Sequence, residues 1–425
     1  MDSLHTNSVS DPLNRAFQLR EAVLWLFCDP LRMEYARLLR LSRKEWKDLL
    51  HWLDTSGLAL YFFDRLKELE LLNILPSPVL ARLTQNLADN TERMDKMIAE
   101  SATIQRRFQD AGLSYAVLKG LSLWPISVPK PELRSQLDLD FLVEDESAMK
   151  ARRILEDAGY RLTVIAGENG KSWQFESSEY RSSSLKHLYK SGMRRSADLH
   201  LEFVGAGLES RLSRTQRLCF HGVDMPVLAP LDLFVGQGLH AYQHVCCEFI
   251  RAGHLIEFRR HIIARQADGV FWNQLREQFE GNPETCVRLG MVVLLISRVM
   301  GSFAPEALTS WTVDRLSPTA RLWVDKYGQR IALASYPGSK LYLLLQEEMK
   351  PIGLAAKRSR MQALLPKRLP PAFVHKATDE RFSARMKRYR KQLYYVFFRL
   401  RFHLLEGMRY LFESVLWRQY RNGVS

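Results

Sequence analysis

The chain has 425 residues, a hydrophobic fraction of 46%, a charged fraction of 25% and a formal net charge of +14. This is the composition of an ordinary folded protein with room for two or three domains. No run of about 18 apolar residues occurs, so the sequence predicts no transmembrane helix. The polar first 14 residues lack a signal-peptide core, and the five cysteines show no Cys-x-x-Cys spacing. We therefore expect a cytoplasmic protein with reduced thiols.

The positive charge is concentrated at one end of the chain. Residues 357–425 contain 17 Lys and Arg against 4 Asp and Glu, whereas the preceding residues contain 44 against 43. The basic character therefore belongs to the C-terminal tail and not to the rest of the chain.

Residues 15–111 have the apolar periodicity of helices, which we expect at 16–27, 43–53, 56–72 and 77–111. Ser42 and Glu45 have the spacing of a capping box. The prolines at 76 and 78 predict a break, and Gly112 predicts a helix end.

A change of pattern follows at about residue 110. The sequence predicts an α+β unit with a mixed sheet to about residue 225. We expect a helix at 147–158 and strands at 114–118, 137–143, 160–165, 173–175, 184–189 and 197–203, with a hairpin turn at Ser191-Gly192. Helices then return at 230–244, 250–268, 270–280 and 283–300, and a linker is expected at Pro366–Pro371. The predicted domains are thus 1–111, 112–225, 226–350 and a basic amphipathic helical tail at 351–425.

Two aspartates one residue apart, Asp138 and Asp140, lie in the predicted strand at 137–143. Their side chains share one face, about 7 Å apart, and two like charges so close require a compensating cation. Lys119-Gly120 comes directly after the preceding strand, where a glycine lets the backbone approach a phosphate. Carboxylates held on a strand behind such a turn suit a Mg²⁺-nucleotide site, although a solvated strand edge would show the same pair.

A third segment, Ala197 to Phe203, alternates polar and apolar residues, so that Asp198, His200 and Glu202 share a face. A solvated sheet face is the plainer interpretation of this pattern. In order and spacing, the three segments resemble the nucleotidyltransferase superfamily that includes DNA polymerase β. They are most similar to a bacterial branch of nucleotidyltransferase-like proteins, and the similarity spans roughly 100–265. The motifs that carry it are Leu118-Lys119-Gly120, Arg134, Asp138-Leu139-Asp140-Phe141-Leu142-Val143, Gly159-Tyr160, Asp198-Leu199-His200, Leu228-Ala229-Pro230-Leu231-Asp232 and Leu239-His240-Ala241-x-x-His244.

The resemblance implies a polymerase β-like domain between helical regions and the transfer of an NMP from a Mg²⁺-NTP to an acceptor hydroxyl, with pyrophosphate released. Asp138, Asp140 and Asp198 would be catalytic and would hold two Mg²⁺ ions. Lys119, Gly120, Arg134 and His200 would bind the nucleotide, although Arg134 is also placed to pair with Asp138, and His200 to be a packed core residue. Lys119-Gly120 departs from the Gly-Ser or Gly-Gly that is usual in the superfamily.

Other interpretations remain open for the whole chain. One is a non-catalytic accessory protein that kept the fold, at a membrane-associated polysaccharide assembly system, and another is an RNA-directed transferase. The acceptor of the NMP would be a small molecule, a protein or an RNA.

Two further features have competing interpretations. His240 and His244 are spaced for zinc on a helix, with Glu257 or His254 as a third ligand, but structural histidines are the expected case. The tail at 376–425 interleaves basic and aromatic residues. It predicts a helical hairpin on the protein body, a helix at an anionic membrane surface, or a polyanion-binding segment.

Overall fold

A seven-stranded sheet lies at the centre of the computed structural model, which describes residues 12–166, 170–178, 184–203, 209–349, 360–366 and 382–423. The strands are β1 Tyr115–Leu118, β2 Asp138–Glu144, β3 Tyr160–Ala166, β4 Ser172–Ser177, β5 Ser196–Glu202, β6 Gln216–Phe220 and β7 Val223–Val227. Their order across the sheet is β3-β4-β5-β2-β1-β7-β6. The pairs β2–β5 and β1–β7 are parallel and the others antiparallel, so the predicted α+β fold with a mixed sheet is confirmed.

Helices precede and follow the sheet along the chain. Before it come α1 Pro12–Trp25, α2 Arg43–Ser56, α3 Ala59–Glu68 and α4 Ser77–Asp110, and within it α5 Ala148–Asp157. After it come α6 Pro230–Val245, α7 Ala252–Ala264, α8 Gly269–Phe279, α9 Pro283–Met300, α10 Glu306–Thr309, α11 Pro318–Trp323, α12 Gln329–Ala332, α13 Tyr342–Met349, α14 Arg360–Leu364 and α15 Phe382–Asn422. Shorter 3₁₀ turns occupy the connections, and a π-helical turn at Val324–Gly328 joins α11 to α12.

Local signals in the sequence account for several helix ends. The predicted capping box is present, because Ser42 Oγ accepts from the Glu45 N–H and Glu45 Oε2 accepts from the Ser42 N–H. α4 begins at the predicted proline break and ends before Gly112, which has a φ of +65°. The N–H of Gly112 then bonds to the carbonyl of Gln109, as expected for a glycine that closes a helix.

One predicted strand is wrong. The segment expected as a strand at 184–189 contains a 3₁₀ turn, Leu185–His187, in which the N–H of Lys186 donates to the side chain of Ser184. Both edges of β5 are already paired with β2 and β4, so no place beside β5 remains for a hairpin partner. The predicted hairpin turn at Ser191-Gly192 is therefore wrong as well.

The hairpin in the sheet lies later in the chain, where no strands were predicted. β6 and β7 pair across His221-Gly222, whose φ angles of +47° and +76° suit a tight turn between antiparallel strands. Only Phe220 of β6 is buried, so the strand lacks the apolar alternation by which a strand is predicted from sequence.

The buried apolar residues form two large cores, one at the sheet and one among the helices. One core packs β1, β2 and β5 against α4 and α5. The other joins α1–α3 to α6–α9 and to the helices up to α14, so the two predicted helical regions, 1–111 and 226–350, share a core. One face of the sheet is therefore covered by α4 and α5, and the opposite face carries the side chains of Asp138 and Asp140.

The tail beyond 382 is one continuous helix of 41 residues, α15, and not a hairpin. It packs on the body by one face through Phe402, Glu406, Tyr410 and Trp417, which are buried. The predicted linker at Pro366–Pro371 lies, beyond its first residue, outside the described residues, as do 376–381 of the predicted tail. Among the helices described, none is both long and apolar enough to cross a bilayer.

Candidate active site

The register between β2 and β5 decides the geometry of the acidic residues. The two strands run parallel, and Asp140 stands opposite Asp198. Because side chains alternate along a strand, Asp138 and Asp140 share one face of β2, as Asp198 and His200 share one face of β5. The apolar residues between them face the core under α4 and α5. Three carboxylates separated by up to 60 positions in the sequence are thereby brought side by side.

Asp140 lies at the centre of a hydrogen-bonded cluster. Lys119 Nζ donates to Asp140 Oδ1 at 2.6 Å, and His200 Nε2 lies 3.0 Å from the same oxygen. Lys119 Nζ is also 3.3 Å from His200 Nε2. The Asp140 side chain is only 1% exposed, so these contacts provide its charge compensation in place of water.

The protonation states follow from these contacts. Burial by itself would raise the pKa of Asp140, but the Lys119 ammonium and the His200 ring together hold that pKa well below its ordinary range. Burial also opposes the charge of Lys119, yet Asp140 raises the pKa of Lys119 above its ordinary value. Both groups are therefore charged at neutral pH, as an ion pair between a buried aspartate and a half-buried lysine.

The other two aspartates are not compensated in this way. Burial and then repulsion by Asp140 raise the pKa of Asp138, against the attraction of Arg134 and Lys119. Burial and then repulsion by Asp140 and Asp138 raise the pKa of Asp198 to about 6. A site whose carboxylates repel one another to this extent favours a bound cation.

The residues present fit a divalent cation. Asp140 Oδ2 is buried and has no hydrogen-bond partner among the described residues, which leaves one oxygen free for a ligand. One ligand atom from each of Asp140, Asp198 and His200 lies within 4.8 Å of the others. Two carboxylates and one imidazole form a donor set for a metal ion, with oxygen ligands in the majority. Asp138 stands beside this group, close enough for its charge to raise the pKa of Asp198.

Gly120 is closely covered by the side chain of Gln136, a residue that the sequence did not single out. A Cβ at this position would lie 2.1 Å from Nε2 of Gln136, whose side chain covers the turn and donates to the carbonyl of Asp138. The preceding residue, Lys119, has a φ of +46°, which is uncommon and costly for a residue with a side chain. The Lys119-Gly120 turn is therefore held against β2 in a strained conformation, with the Lys119 ammonium on Asp140.

Arg134 has a buried partner of its own. Its Nε donates to Glu257 Oε1 at 3.1 Å, and the same oxygen accepts from the hydroxyl of Tyr61 at 2.9 Å. Glu257 also raises the pKa of Arg134, although burial opposes that charge. Asp138 and Asp140 contribute to this effect, so the Arg134 guanidinium lies within electrostatic range of both.

Arg251 is a second arginine at the site, and the sequence offered no signal for it. It precedes α7, is half-buried within electrostatic range of Arg134 and Asp138, and donates to Ser135 Oγ at 3.3 Å. Its charge lowers the pKa of Asp138. No sequence pattern links Arg251 to the aspartates, because the residues are far apart in the chain and become neighbours only in the folded structure.

The structure also brings together three of the histidines. His240 and His244 on α6 meet His254 of α7, with one ligand nitrogen from each within 4.8 Å of the others. The alternative third zinc ligand, Glu257, is hydrogen-bonded to Arg134 and Tyr61. We refer to His240, His244 and His254 as the histidine cluster.

Residues 42–283, more than half of the chain, match the model of a family described as an uncharacterised nucleotidyltransferase. The chain belongs to this nucleotidyltransferase family. The match contains every predicted site residue and extends beyond the predicted range of 100–265 to α2, α3 and α8. Those helices share a core with α6 and α7, which explains why they belong to the same unit.

Two solved structures are weakly similar to this chain. The antibiotic-resistance factor ANT(2'')-Ia, solved in solution, is 12% identical, with 45% of this chain and 93% of that chain covered at a TM-score of 0.32. An antigenic nucleotidyltransferase-like protein from Paracoccidioides brasiliensis is 12% identical, with 52% and 98% covered at a TM-score of 0.29. No curated protein matches the sequence. The family assignment does not depend on these likenesses.

Proposed function

We propose that this nucleotidyltransferase moves an NMP from a Mg²⁺-NTP to an acceptor hydroxyl and releases pyrophosphate. The observation that carries the proposal is the group formed by Asp140, Asp198 and His200, which combines a free buried oxygen with repelling carboxylates. Family membership supports nucleotidyl transfer as the reaction class.

Asp140 and Asp198 would hold Mg²⁺, with His200 or Asp138 completing the ligands for one or two ions. Bound there, the metal would neutralise the phosphates and stabilise the charge that develops at the α-phosphorus. The sequence suggested that His200 binds the nucleotide. Because His200 already contacts Asp140, it is better placed to be a ligand of the metal.

Asp198 is suited to the role of general base. It stands opposite Asp140 on the neighbouring strand, so its carboxylate would lie beside the metal and the acceptor hydroxyl that the metal orients. The proton of the acceptor hydroxyl would pass to Asp198, the hydroxyl oxygen would bond to the α-phosphorus, and the bond to the β-phosphate oxygen would break.

Lys119 and Arg134 supply positive charge from two sides of the aspartates. Lys119 compensates Asp140 in the structure, and a triphosphate bound on the same carboxylates would provide a second anionic partner for its ammonium. We propose that Lys119-Gly120 and Arg134 bind the nucleotide, with Arg134 kept in place by Glu257.

The test uses NTPs labelled at either the α- or the γ-phosphate, incubated with Mg²⁺, the full-length protein and a cell extract as the source of acceptor. We expect label from the α-phosphate on the acceptor and label from the γ-phosphate in pyrophosphate. Asp138→Ala/Asp140→Ala should abolish the transfer, whereas Glu144→Gln, at the other end of β2, should not. Transfer of γ-label to the acceptor, or transfer that survives loss of both aspartates, would contradict the proposal.

The Lys119–Asp140 ion pair also supports a second candidate function. An ammonium on a metal ligand can replace the metal permanently, as in a binding module that kept the fold without the reaction. Calorimetry with each Mg²⁺-NTP distinguishes the two functions. The enzyme should give heat that disappears in Asp140→Asn, whereas the accessory protein should give none with any nucleotide.

For α15 we propose contact with an anionic membrane surface. Phe382, Met386, Tyr389, Leu393 and Phe397 recur at helical spacing and are exposed. Arginines and lysines interleave with them at 385–391, a pattern that suits an anionic interface. Sedimentation with vesicles containing anionic lipid tests this. Binding should weaken in Arg390→Glu/Lys391→Glu and with neutral vesicles, and equal binding to both kinds of vesicle would contradict the proposal.

A further inference from the structure

The histidine cluster joins two helices that the chain connects through the short segment 246–251. His240 and His244 are one turn apart on α6, and His254 is the third residue of α7. The ring centres are separated by 4.8 Å between His240 and His244, 5.0 Å between His240 and His254, and 4.4 Å between His244 and His254. Three imidazoles thus converge from two elements on one small volume.

His254 supplies the decisive observation. It is 9% exposed, and its Nδ1 has no hydrogen-bond partner among the described residues. A buried polar atom left without a partner costs on the order of 1–3 kcal/mol, so such atoms are rare unless a water or ion meets them. His240 and His244 are only half-buried, so the cluster is open to the solvent on one side.

The three rings are in the form that binds metals. Burial, with help from neighbouring positive charges, lowers the pKa of His240 to about 3 and that of His244 to about 4. Burial, His244, Arg251 and His240 likewise hold the pKa of His254 well below its ordinary value. Neutral imidazoles need lose no proton before a metal binds at neutral pH.

We propose that His240, His244 and His254 bind one divalent transition-metal ion of the zinc class, separate from the carboxylate group. Three histidines with an open fourth position are a known zinc donor set. Imidazole nitrogen favours zinc, copper, nickel and iron over magnesium and calcium, which prefer oxygen. The open position would take water or a ligand from the half-exposed side of the cluster.

Three positively charged side chains lie near the histidine cluster. Lys119, Arg134 and Arg251 oppose a positive ion, because each lowers the pKa of at least one of the histidines. The charges of Lys119 and Arg134 are offset by their ion pairs with Asp140 and Glu257, whereas Arg251 donates to the neutral hydroxyl of Ser135. Affinity would therefore come from the nitrogen ligands and little from the net charge.

The backbone around the cluster is held firmly enough to keep the three rings together. A Cβ at Gly253 would lie 3.1 Å from the carbonyl oxygens of Ser56 and Gly57, so the start of α7 is pressed against the end of α2. The N–H of Ser339 bonds to the carbonyl of Glu248 at 2.7 Å and anchors the connecting segment. Such support is what a metal site needs before the metal arrives.

The experiment titrates full-length protein, first freed of metal with EDTA, with Zn²⁺ in the presence of excess Mg²⁺. Calorimetry should detect one Zn²⁺ per chain, and Co²⁺ in its place should give the strong visible absorption of a four-coordinate ion. Failure to bind Zn²⁺, or the faint spectrum of octahedral Co²⁺, would overturn the proposal.

The matched variants are His254→Gln and His261→Gln, the same change seven residues apart on α7. His261 is buried but bonds to Gln237 outside the cluster. We expect the first change to weaken Zn²⁺ binding at least about a hundredfold and the second to leave it intact. Equal affinities would overturn the proposal, as would loss of binding in Asp140→Asn alone. No readout depends on nucleotide transfer, so the zinc site and the proposed reaction stand or fall separately.

Discussion

The carboxylate group on β2 and β5 and the histidine cluster on α6 and α7 are two candidate metal sites built on different principles. In the carboxylate group the ligands are charged, the register of one strand pair aligns them, and Lys119 compensates part of the charge. In the histidine cluster the ligands are neutral, and the packing of two helices brings them together. The first would favour an ion that prefers charged oxygen ligands, and the second an ion that prefers nitrogen ligands.

The difference has a consequence for stability. Repulsion among carboxylates makes the first group costly without a cation, since burial and neighbouring aspartates raise the pKa of Asp138 and Asp198. The histidine cluster carries no charge to repel, and its cost is a single unpartnered nitrogen on His254. We therefore expect substitutions to separate the two sites in activity, in stability and in the metal that each binds.

The largest effect should come from Asp140→Ala. It removes the oxygen that is free for the metal together with the partner of Lys119, so the transfer rate should fall about a thousandfold. Steady-state transfer of α-labelled NMP measures this, with Glu144→Gln as the control on the same strand. A rate within tenfold of the wild type would remove the carboxylate group from the reaction.

Asp140→Asn should also destabilise the metal-free protein, by about 1–3 kcal/mol, because it leaves the partly buried Lys119 charge without its partner. Urea unfolding without Mg²⁺ measures the change. Asp140→Asn/Lys119→Met removes both charges and should recover part of the loss. If the double variant is no more stable than the single one, the pair does not account for the stability.

Gly238→Ala should disturb the histidine cluster and spare the carboxylate group. Its Cβ would lie 2.3 Å from Leu289 Cδ2 and 2.9 Å from Phe258 Cζ, which forces α6 away from α7 and α9 at a cost of about 1–3 kcal/mol. We expect weaker Zn²⁺ binding in calorimetry and a lower urea midpoint.

Gly236→Ala is the matched control, because a Cβ there meets nothing within 4 Å and the same helix gains an alanine. Equal Zn²⁺ affinity in the two alanine variants would show that the spacing of α6 and α7 does not govern the cluster.

Asp198 should make the stability of the metal-free protein depend on pH. Its pKa is 3.8 in ordinary surroundings and about 6 in the fold, so between these values the folded state holds a proton that the unfolded state has released. Its contribution to the free energy of unfolding therefore falls as pH rises through this window and stays low above it.

Asp198→Asn should remove this loss of stability with rising pH. The variant should be more stable than the wild type at pH 7.5 by about 1 kcal/mol, allowing for the water that reaches this side chain, while it loses transfer activity. Thermal unfolding at several pH values provides the check. A parallel pH profile for variant and wild type would mean that another group titrates.

The smallest effect is expected for Cys247→Ser. Cys247 Sγ lies 4.0 Å from His244 Nδ1 but donates to the carbonyls of His244 and Phe249, outside the three-nitrogen group. Serine keeps a donor in the same place, so Zn²⁺ affinity should change less than tenfold. A loss as large as that of His254→Gln would make Cys247 a fourth ligand.

Local chemistry made several features predictable. The capping box at Ser42, the glycine at 112 and the polar–apolar alternation of β5 depend on residues within a few positions, and the structure contains all three. Where local signals were ambiguous, prediction failed. The segment at 184–189 has strand-like residues, but it forms a turn because β5 has no free edge.

What the sequence determined by itself is the chemical content of the site. Asp138 and Asp140 share a face because strand periodicity requires it, and the order of the motifs indicates a nucleotidyltransferase, as the family match does. Tertiary structure alone decided the partners. It placed Lys119 on Asp140, Gln136 over Gly120, Glu257 on Arg134 and His254 beside His240 and His244. Each of these contacts joins residues from different elements, and their distance depends on packing and register, which no local pattern records.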